Sequence, residues 1–516
     1  MPSQSILRTW IGFVAMCLGM SLAVLDIQIV ASSFTTIQQY FHVTSDQLSW
    51  IQTGYLMAEV IAIPLTGWLT RALSLRWMFA AATLGFTLAS LGCAMCTHLP
   101  PFIALRVVQG FCGGMLIPGV FTSVFLMMPE RHRVAATALA GTLAVIAPTV
   151  GPAIGGYLTT HYSWHWIFLI NLGPGLLVAL LVAGFVRMGE PDWSELRRID
   201  YRAIALAAVF LATLELVLKE APKYGWQGTY VYACIAICLV TGTGAIWRSL
   251  YSPHAFLDLY RFRERTFTLG CLLSLVLGLG LYGSVYLLAL FLGLIREHSP
   301  WEIGTIMIVS GAAQLLTAPI AALLESRIDP RWLTAAGYSL FAAGLIANGF
   351  TSVTTDYDGL FWPQAIRGAS VMLCILPATR LALDTLIPGQ VADGSALFNL
   401  MRNLGGAIGI ALVDTILEQR TPTHAAALAA RLQAGDADAA RIVGLPTEYF
   451  QGHDMGPVNE TMRQYAEPLV RKAALVMSFN EAWIVIGALF ALSLLVLPFM
   501  HIRRTAMGPG TEPETT

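Results

Sequence analysis

Long apolar runs follow one another along almost the whole chain, and they constrain its fold more than any other feature. A membrane-spanning helix needs roughly 20 predominantly apolar residues, because the hydrocarbon core of a bilayer is about 30 Å thick. Hydrophobic residues make up 56% of the chain and charged residues 12%, whereas soluble domains carry about 25% charged residues. The sequence therefore predicts an all-α polytopic membrane protein without a soluble domain of ordinary size.

The runs predict fourteen spans, divided into six, two and six. Residues 10–187 form the first bundle of six helices and residues 266–500 the second. Between them, residues 188–265 contain two linker spans with polar, cytoplasmic flanks. The second bundle includes a long polar segment, 417–474, and the chain ends in a polar tail, 501–516. An even number of spans places both termini on the same side of the membrane.

Basic residues in the short loops predict the orientation, because cytoplasmic loops are enriched in lysine and arginine. The short loops on the other side of the membrane hold only Lys219, Lys223 and Arg296. The 17 basic residues on the first side are Arg8, Arg71, Arg76, Arg131, Arg133, Arg187, Arg197, Arg198, Arg202, Arg248, Arg261, Arg263, Arg265, Arg327, Arg331, Arg503 and Arg504. Both termini are therefore predicted to be cytoplasmic, with segment 417–474 on the outside.

An internal repeat relates the two predicted bundles. Residues 64–77 (PLTGWLTRALSLRW) align without gaps on residues 319–332 (PIAALLESRIDPRW), at a constant offset of 255. The Gln-Gly pair at 109–110 has a looser echo in the Arg-Gly pair at 367–368. Two similar halves around a central substrate path are the architecture of many secondary transporters.

Three ionisable residues within apolar runs of the first half are candidates for proton coupling: Asp26, Glu59 and Arg106. A charge in hydrocarbon is costly unless it is paired, so such residues indicate a functional site. Burial favours the neutral form of a carboxylate, and a nearby arginine favours the charged form. An arginine that approaches and withdraws would therefore make a carboxylate release and take up a proton. The alternative is a fixed ion pair that only locks helices together.

Aromatic and polar residues within other spans are candidates for the lining of a substrate cavity, although each is also compatible with ordinary packing. These residues are Tyr55, Gln109, Phe121, Tyr286, Gln314, Asn399 and Arg402.

A cluster of glycine and proline lies near the outer end of the fifth predicted span. It consists of Pro148, Gly151, Pro152, Gly155 and Gly156. Proline bends helices and small residues let helices approach closely. The cluster therefore predicts a hinge, and tight helix packing is the overlapping alternative.

The sequence lacks the patterns of several enzyme classes. The chain has only three lysines, and none follows the glycine-rich pattern of a nucleotide-binding P-loop. No H-E-x-x-H or G-x-S-x-G pattern occurs. His161 and His165 have the i, i+4 spacing of metal ligands, but tryptophan and tyrosine beside them favour an aromatic belt at the membrane interface. We therefore expect no enzyme activity, no metal and no cofactor, and an ion gradient as the energy source.

These motifs resemble the major facilitator superfamily, and within it the fourteen-span drug:proton antiporters of the EmrB/QacA type. Residues 25–30 (LDIQIV) resemble the first-span motif of that family, with Gln28 in place of the usual threonine. Residues 106–110 (RVVQG) resemble the fourth-span motif that the family links to proton coupling. Residues 147–156 (APTVGPAIGG) resemble the fifth-span antiporter motif, which separates exporters from importers. Residues 164–171 (WHWIFLIN) are similar to the stretch that follows it.

The loop after the second span departs from the superfamily pattern G-x-L-a-D-r-x-G-r. Arg71 stands where aspartate is usual and Ser74 where glycine is usual, whereas Gly67 and Arg76 match. The EmrB-like branch commonly lacks that aspartate as well. The resemblance therefore implies a gating loop at Gly67, Arg71 and Arg76 without the usual charge pattern.

The resemblance implies a major facilitator fold with fourteen transmembrane helices in the bacterial inner membrane. The implied function is proton-coupled export of amphipathic or lipophilic compounds by alternating access between the two bundles. Segment 417–474 would then dock a periplasmic adaptor, which joins an outer-membrane channel. Two alternatives stay open: a dedicated exporter of an endogenous metabolite such as a siderophore or fatty acid, and a membrane-embedded sensor or enzyme. Membrane lipids are expected partners, and nucleic acid is not, because the net charge is −1.

Overall fold

The structure, a computed structural model, describes residues 6–43, 45–194, 200–252, 258–325, 327–384, 386–387, 390–447 and 460–500. Within these residues the regular secondary structure is helical throughout, with no strand. The α-helices of the described part, numbered in chain order, are α1 Ile6–Ser32, α2 Phe34–Phe41, α3 Ser45–Ala94, α4 Leu99–Gly114, α5 Leu116–Met127, α6 Glu130–His161, α7 Trp166–Leu169, α8 Leu172–Phe185, α9 Tyr201–Glu220, α10 Thr229–Tyr251, α11 Arg265–Leu294, α12 Pro300–Glu325, α13 Pro330–Asn348, α14 Tyr357–Leu383, α15 Val391–Gln433, α16 Ala437–Val443 and α17 Glu460–Ser493.

Helix α3 consists of two segments that meet at Ser74. The φ of Ser74 is 66° and its ψ is 155°, so the helical path is broken there. The apolar part of α3, Trp50–Ala94, is 45 residues long. A straight helix of that length would be about twice as long as the hydrocarbon core of a bilayer is thick. The break therefore lets the chain cross the membrane twice, with the predicted gating loop at the turn.

Eleven helices of the described part are long and apolar enough to cross a membrane. Helices α6 and α13 do not belong to that set, although they are 32 and 19 residues long. The chain is thus a multi-pass membrane protein, as predicted, whereas the count of fourteen spans is not confirmed and stays a prediction. The predicted tail, 501–516, lies outside the described residues.

Two large apolar cores organise the helices. The first draws on α1, α3, α5, α6 and α8 and includes the fully buried rings of Phe79 and Phe121. The second draws mainly on α11–α15 and α17 and includes Tyr338, Phe341 and Trp483. These cores are compatible with the predicted domain boundaries at 187 and 266, which remain predictions.

The two predicted linker helices, α9 and α10, pack on each other, and α9 also contacts both halves of the molecule. Leu211 of α9 shares a small apolar cluster with Val60 and Ile63 of α3 and with Leu400 and Leu404 of α15. Helix α9 therefore covers the line along which α3 and α15 meet.

The internal repeat reappears in the packing of two glycines. A Cβ atom on Gly110 would overlap the backbone carbonyl of Tyr55, and a Cβ atom on Gly368 would overlap that of Ser310. In a bilayer, helices associate through close van der Waals packing rather than through the hydrophobic effect, which makes such contacts between small residues decisive. Equivalent glycines thus bring equivalent helices together in the two halves.

Replacing Gly110 by valine is expected to destabilise the protein strongly. Overpacking costs about 1–3 kcal/mol and occasionally more, and we expect the upper end because a backbone carbonyl cannot rotate away. The matched control is Gly184→Val, since a Cβ atom on Gly184 meets nothing within 4 Å. Thermal unfolding of the detergent-purified variants measures the difference. Equal melting temperatures for the two variants would contradict this packing.

Candidate functional site

Arg106 and Asp26 form a fully buried ion pair in the first half of the molecule. Both side chains are 0% exposed, and Nη1 of Arg106 donates to Oδ2 of Asp26 at 2.5 Å. Asp26 lies on α1 and Arg106 on α4, 80 residues apart. The partner of the buried arginine is therefore Asp26. Sequence reasoning brought both residues into one candidate site but left open whether Asp26 or Glu59 meets the arginine.

Three neutral side chains complete the surroundings of Asp26. Gln109 accepts from Nη1 of Arg106 at 2.6 Å and donates to Oδ1 of Asp26 at 3.1 Å. Asn171 donates to the same Oδ1 at 2.8 Å. Ser90 accepts from the amides of Gln109 at 2.7 Å and Asn171 at 3.3 Å. Side chains from α1, α3, α4 and the start of α8 therefore form one hydrogen-bonded network that includes the Asp26 carboxylate.

Sequence reasoning did not single out Ser90 or Asn171. Both are polar residues that lie within or beside apolar runs, and Asn171 is the last residue of the stretch 164–171. Their side chains are fully buried. That polar character was the available signal, but only the folded structure shows that Asn171 binds Asp26 and that Ser90 binds the two amides that do so.

Aromatic rings cover the guanidinium of Arg106. Its Cζ atom lies 4.3 Å from the centre of the Tyr55 ring and 5.8 Å from that of Phe168. Such stacking stabilises a cation. Nε and Nη2 of Arg106 have no hydrogen-bond partner among the described residues. Tyr55 and Gln109, predicted as cavity residues, thus lie inside this buried site. The hydroxyl of Tyr55 donates to the carbonyl of Ala23 at 3.2 Å.

Glu59 lies in a different environment, where the two halves of the molecule meet. It is 4% exposed, and its Oε1 accepts from Asn403 of α15 at 3.3 Å. Asn403 also accepts from the hydroxyl of Tyr282 at 3.5 Å. Glu59 is therefore a buried carboxylate that links the halves through a neutral amide. Its predicted role in proton coupling stays a prediction.

The predicted gating loop contacts the start of α15. Arg71 forms an ion pair with Asp393, and a Cβ atom on Gly67 would overlap the Asp393 side chain. Gly67 thus leaves room for the residue that Arg71 binds. Arg76 instead stacks on its neighbour Trp77, with Cζ 4.7 Å from the ring centre.

A second contact between the halves lies at the same end of the molecule. Arg133, at the start of α6, is 3.9 Å from Asp384, which follows α14. Nearby, Arg380 binds both Asp384 at 3.0 Å and the buried Glu325 at 3.1 Å. Charged residues of the two halves therefore hold together the end that the basic loops predict to be cytoplasmic.

The predicted hinge lies in α6, which is helical from Glu130 to His161. A Cβ atom on Gly151 would lie 2.6 Å from Cβ of Gln28 in α1. Gly155 is buried and Gly156 is partly buried. The side chains of Pro148 and Pro152 lie outside the described part. The motif is thus tightly packed against the first-span motif, and its role as a hinge stays a prediction.

The remaining candidate cavity residues lie in three separate places. Phe121 stacks under Arg402, 5.0 Å from ring centre to Cζ, and Arg402 also donates to Asn399. These three residues join α5 to α15 between the halves. Tyr286 donates to Asp414 at 2.8 Å. The fully buried Gln314 has no hydrogen-bond partner among the described residues for either side-chain polar atom.

The sequence profile of the Major Facilitator Superfamily matches residues 16–410. The chain belongs to the major facilitator superfamily. As a member of this superfamily, it has the helical fold that the resemblance of its motifs predicted.

Named relatives within the superfamily match over most of this chain. The colistin resistance protein EmrB of Acinetobacter baumannii is 38% identical over 416 residues, which cover 80% of this chain and 81% of the relative. The multidrug export protein EmrB of Escherichia coli K12 is 28% identical over 504 residues and 96% of each chain. The fatty acid resistance protein FarB of Neisseria gonorrhoeae is 27% identical over 420 residues, 80% of this chain and 82% of the relative. The predicted EmrB-like branch is thereby confirmed.

Solved structures of the superfamily share the fold of this chain at low sequence identity. The proton:xylose symporter XylE matches with a TM-score of 0.60 and 13% identity over 95% of each chain. The human organic anion transporter MFSD10 matches with a TM-score of 0.58 and 13% identity, over 95% of this chain and 99% of that one.

Proposed function

We propose that this protein is a proton-driven exporter of amphipathic or lipophilic compounds, a transporter rather than an enzyme. The observation that carries the proposal is the sealed ion pair between Arg106 and Asp26. A buried ion pair is weak support for stability alone, because desolvation of both charges opposes their attraction. An ion pair that opens and closes has a functional use. Its carboxylate binds a proton when the pair is open and releases the proton when the pair closes.

In the proposed cycle, Asp26 is the proton carrier and Arg106 controls it. While the guanidinium is in contact, the carboxylate is charged and its hydrogen bonds from Gln109 and Asn171 are favourable. When substrate binding separates α1 from α4, the carboxylate loses its counter-charge and takes up a proton. Glu59, at the boundary of the two halves, is the second candidate carrier.

Alternating access is supported by where the two halves touch. The ion pairs Arg71–Asp393 and Arg133–Asp384 join them at the end with the basic loops. With that end in the cytoplasm, the described conformation is closed towards the cytoplasm. Breaking these contacts is the step that would admit a substrate from inside. No cofactor is required, because protons moving down their gradient drive the cycle.

The names of the relatives support the substrate class. Two of them are named for multidrug export and colistin resistance. The fatty acid resistance protein FarB favours a second candidate, a dedicated exporter of one endogenous amphiphile. A screen of substrates in a strain that lacks other exporters separates a broad range of substrates from a single one.

Proton coupling can be tested in inverted membrane vesicles that contain the protein and are acidified by respiration. Adding the lipophilic cation ethidium is expected to release protons from the vesicle interior, reported by a fluorescent pH probe. A protonophore should stop ethidium accumulation. Accumulation that persists without a proton gradient would contradict the proposal.

We also propose that the protein lies in the inner membrane with both termini in the cytoplasm and binds a periplasmic adaptor. The proposed docking surface for the adaptor is formed by residues 417–447 and 460–474 of the outer segment. There α15 continues to Gln433 and packs with α16 and α17 around Leu428 and Val443. The adaptor would connect to an outer-membrane channel. Photo-cross-linking from an exposed position such as Arg441 in intact cells tests this; absence of any cross-link to a periplasmic protein would count against it.

A further inference from the structure

A second buried polar cluster lies in the other half of the molecule, and the proposed proton cycle does not use it. Arg367 of α14 is 4% exposed. Its guanidinium donates to Oγ of Ser284 in α11 at 2.6 Å and to Oγ of Ser310 in α12 at 3.2 Å. Both acceptors are neutral hydroxyls, and no carboxylate of the described residues pairs with this guanidinium. Within the described part of the chain, a positive charge is therefore buried without a counter-charge, an arrangement that is costly in a membrane.

The internal repeat shows what is missing from this cluster. The hydrogen bond from Gln109 to Asp26 in the first half spans 3.1 Å. The pair Gln109-Gly110 corresponds to Arg367-Gly368 at an offset of 258 residues. At this offset, the counterpart of that bond is the one from Arg367 to Ser284. At that offset, the residues of the first site, Asp26, Ser90, Arg106 and Gln109, correspond to Ser284, Asn348, Gln364 and Arg367. The second half therefore keeps an arginine and a glutamine, exchanged in position, but has serine where the acid should be.

Buried amides beside Arg367 have unused hydrogen-bonding capacity. Gln364 precedes Arg367 by three residues and so lies on the same face of α14. Gln314 follows Ser310 by four residues on α12. Both amides are fully buried, and their nitrogen and oxygen atoms have no partner among the described residues. Leaving such groups unpaired is unfavourable, so these atoms are available to a ligand.

Asn348, at the end of α13, also has unused hydrogen-bonding capacity. It is fully buried, and both of its side-chain polar atoms lack a partner among the described residues. Gly344, one turn earlier, lies against the backbone of α14. A Cβ atom on Gly344 would lie 3.0 Å from the backbone nitrogen of Arg367 and 3.1 Å from the carbonyl oxygen of Pro363. Asn348 therefore lies level with the start of α14, on the side of the cluster nearer Gln364.

We propose that this cluster binds the anionic headgroup of a transported amphiphile, with Arg367 as its counter-charge. A guanidinium offers a planar set of N–H donors that matches a carboxylate, and the three amides add donors around it. The headgroup would supply the negative charge that Asp26 supplies in the first half. This inference rests on the proposed export function and specifies anionic amphiphiles as one of its substrate classes, beside the lipophilic cations that the vesicle assay uses.

Two amphiphiles with the same tail and opposite headgroups test the proposal: dodecanoate and dodecyltrimethylammonium. Their binding is measured on full-length protein in lipid nanodiscs. Arg367→Gln removes the charge, and Ser284→Asp supplies the missing acid inside the protein. Both variants are expected to weaken dodecanoate binding at least about 10-fold, the effect of losing a buried charge partner. Dodecyltrimethylammonium binding should change far less, so that the ratio of the two affinities shifts.

Ser284→Asn is the matched control, because it has the shape of the aspartate variant without its charge. It should keep the preference for dodecanoate, whereas Ser284→Asp loses that preference and melts at a higher temperature. Equal dodecanoate affinity in wild type, Arg367→Gln and Ser284→Asp would overturn the proposal. Thermal stabilisation by chloride that Arg367→Gln removes, without any change in dodecanoate affinity, would assign the cluster to an inorganic ion and also overturn it. The vesicle assay of the wild-type protein is a separate readout, so failure of export and failure of this site are distinguishable.

Discussion

Replacing Asp26 by asparagine is expected to abolish proton-coupled efflux. Asparagine keeps the shape and the hydrogen bonds to Gln109 and Asn171 but carries neither a charge nor a transferable proton. Arg106 is then left buried without its counter-charge, which costs up to about 3–5 kcal/mol. Ethidium-dependent proton release in inverted vesicles should disappear, and the melting temperature of the purified protein should fall.

The double variant Asp26→Asn/Arg106→Gln separates coupling from folding. Removing both charges leaves no unpaired ion, so thermal stability should recover while proton release stays absent. The matched control is Glu481→Gln, which breaks a partly exposed ion pair with Arg420 and should leave coupling intact. If Asp26→Asn exchanged protons for ethidium at the wild-type rate, Asp26 would not be the carrier.

Reversing the charge of Arg71 is expected to produce the second large effect. Arg71→Asp places two carboxylates together at the contact with Asp393, and like charges at this distance repel. In the proposed cycle this ion pair holds its end of the molecule closed, so that end should then open and efflux should fall to background. Hydrogen exchange of residues 67–76 should become faster.

The exchanged pair Arg71→Asp/Asp393→Arg restores opposite charges in reversed order and should recover a substantial part of the efflux. Arg441→Asp, at an exposed ion pair with Asp438, controls for a general effect of charge reversal on membrane insertion. An exchanged pair as inactive as Arg71→Asp alone would show that the contact between Arg71 and Asp393 is not what closes this end.

The candidate site illustrates how far sequence reasoning reaches. The sequence predicts a functional role for Asp26 and Arg106, because a charge inside an apolar run is costly unless it is paired. Their partnership does not follow, since Asp26 and Glu59 lie in neighbouring helices and either carboxylate has the right chemistry. The close contact of Gly110 with the backbone of Tyr55 brings α4 against α3. The arginine then pairs with Asp26, while Glu59 accepts a hydrogen bond from Asn403 where the two halves meet.

Local patterns of the sequence by themselves determined that the chain is helical, that it crosses a membrane many times and that its two halves are related. The reason is that apolar length, basic loops and repeated motifs are properties of single helices and loops, which can be recognised along the chain without knowing how the helices pack. The tertiary structure alone decided which carboxylate neutralises Arg106, that Ser90 and Asn171 join it, and that Arg367 bonds only to serine hydroxyls within the described part of the chain. These are contacts between helices that lie tens to hundreds of residues apart, and they depend on which faces the close packing of the bundle turns towards each other.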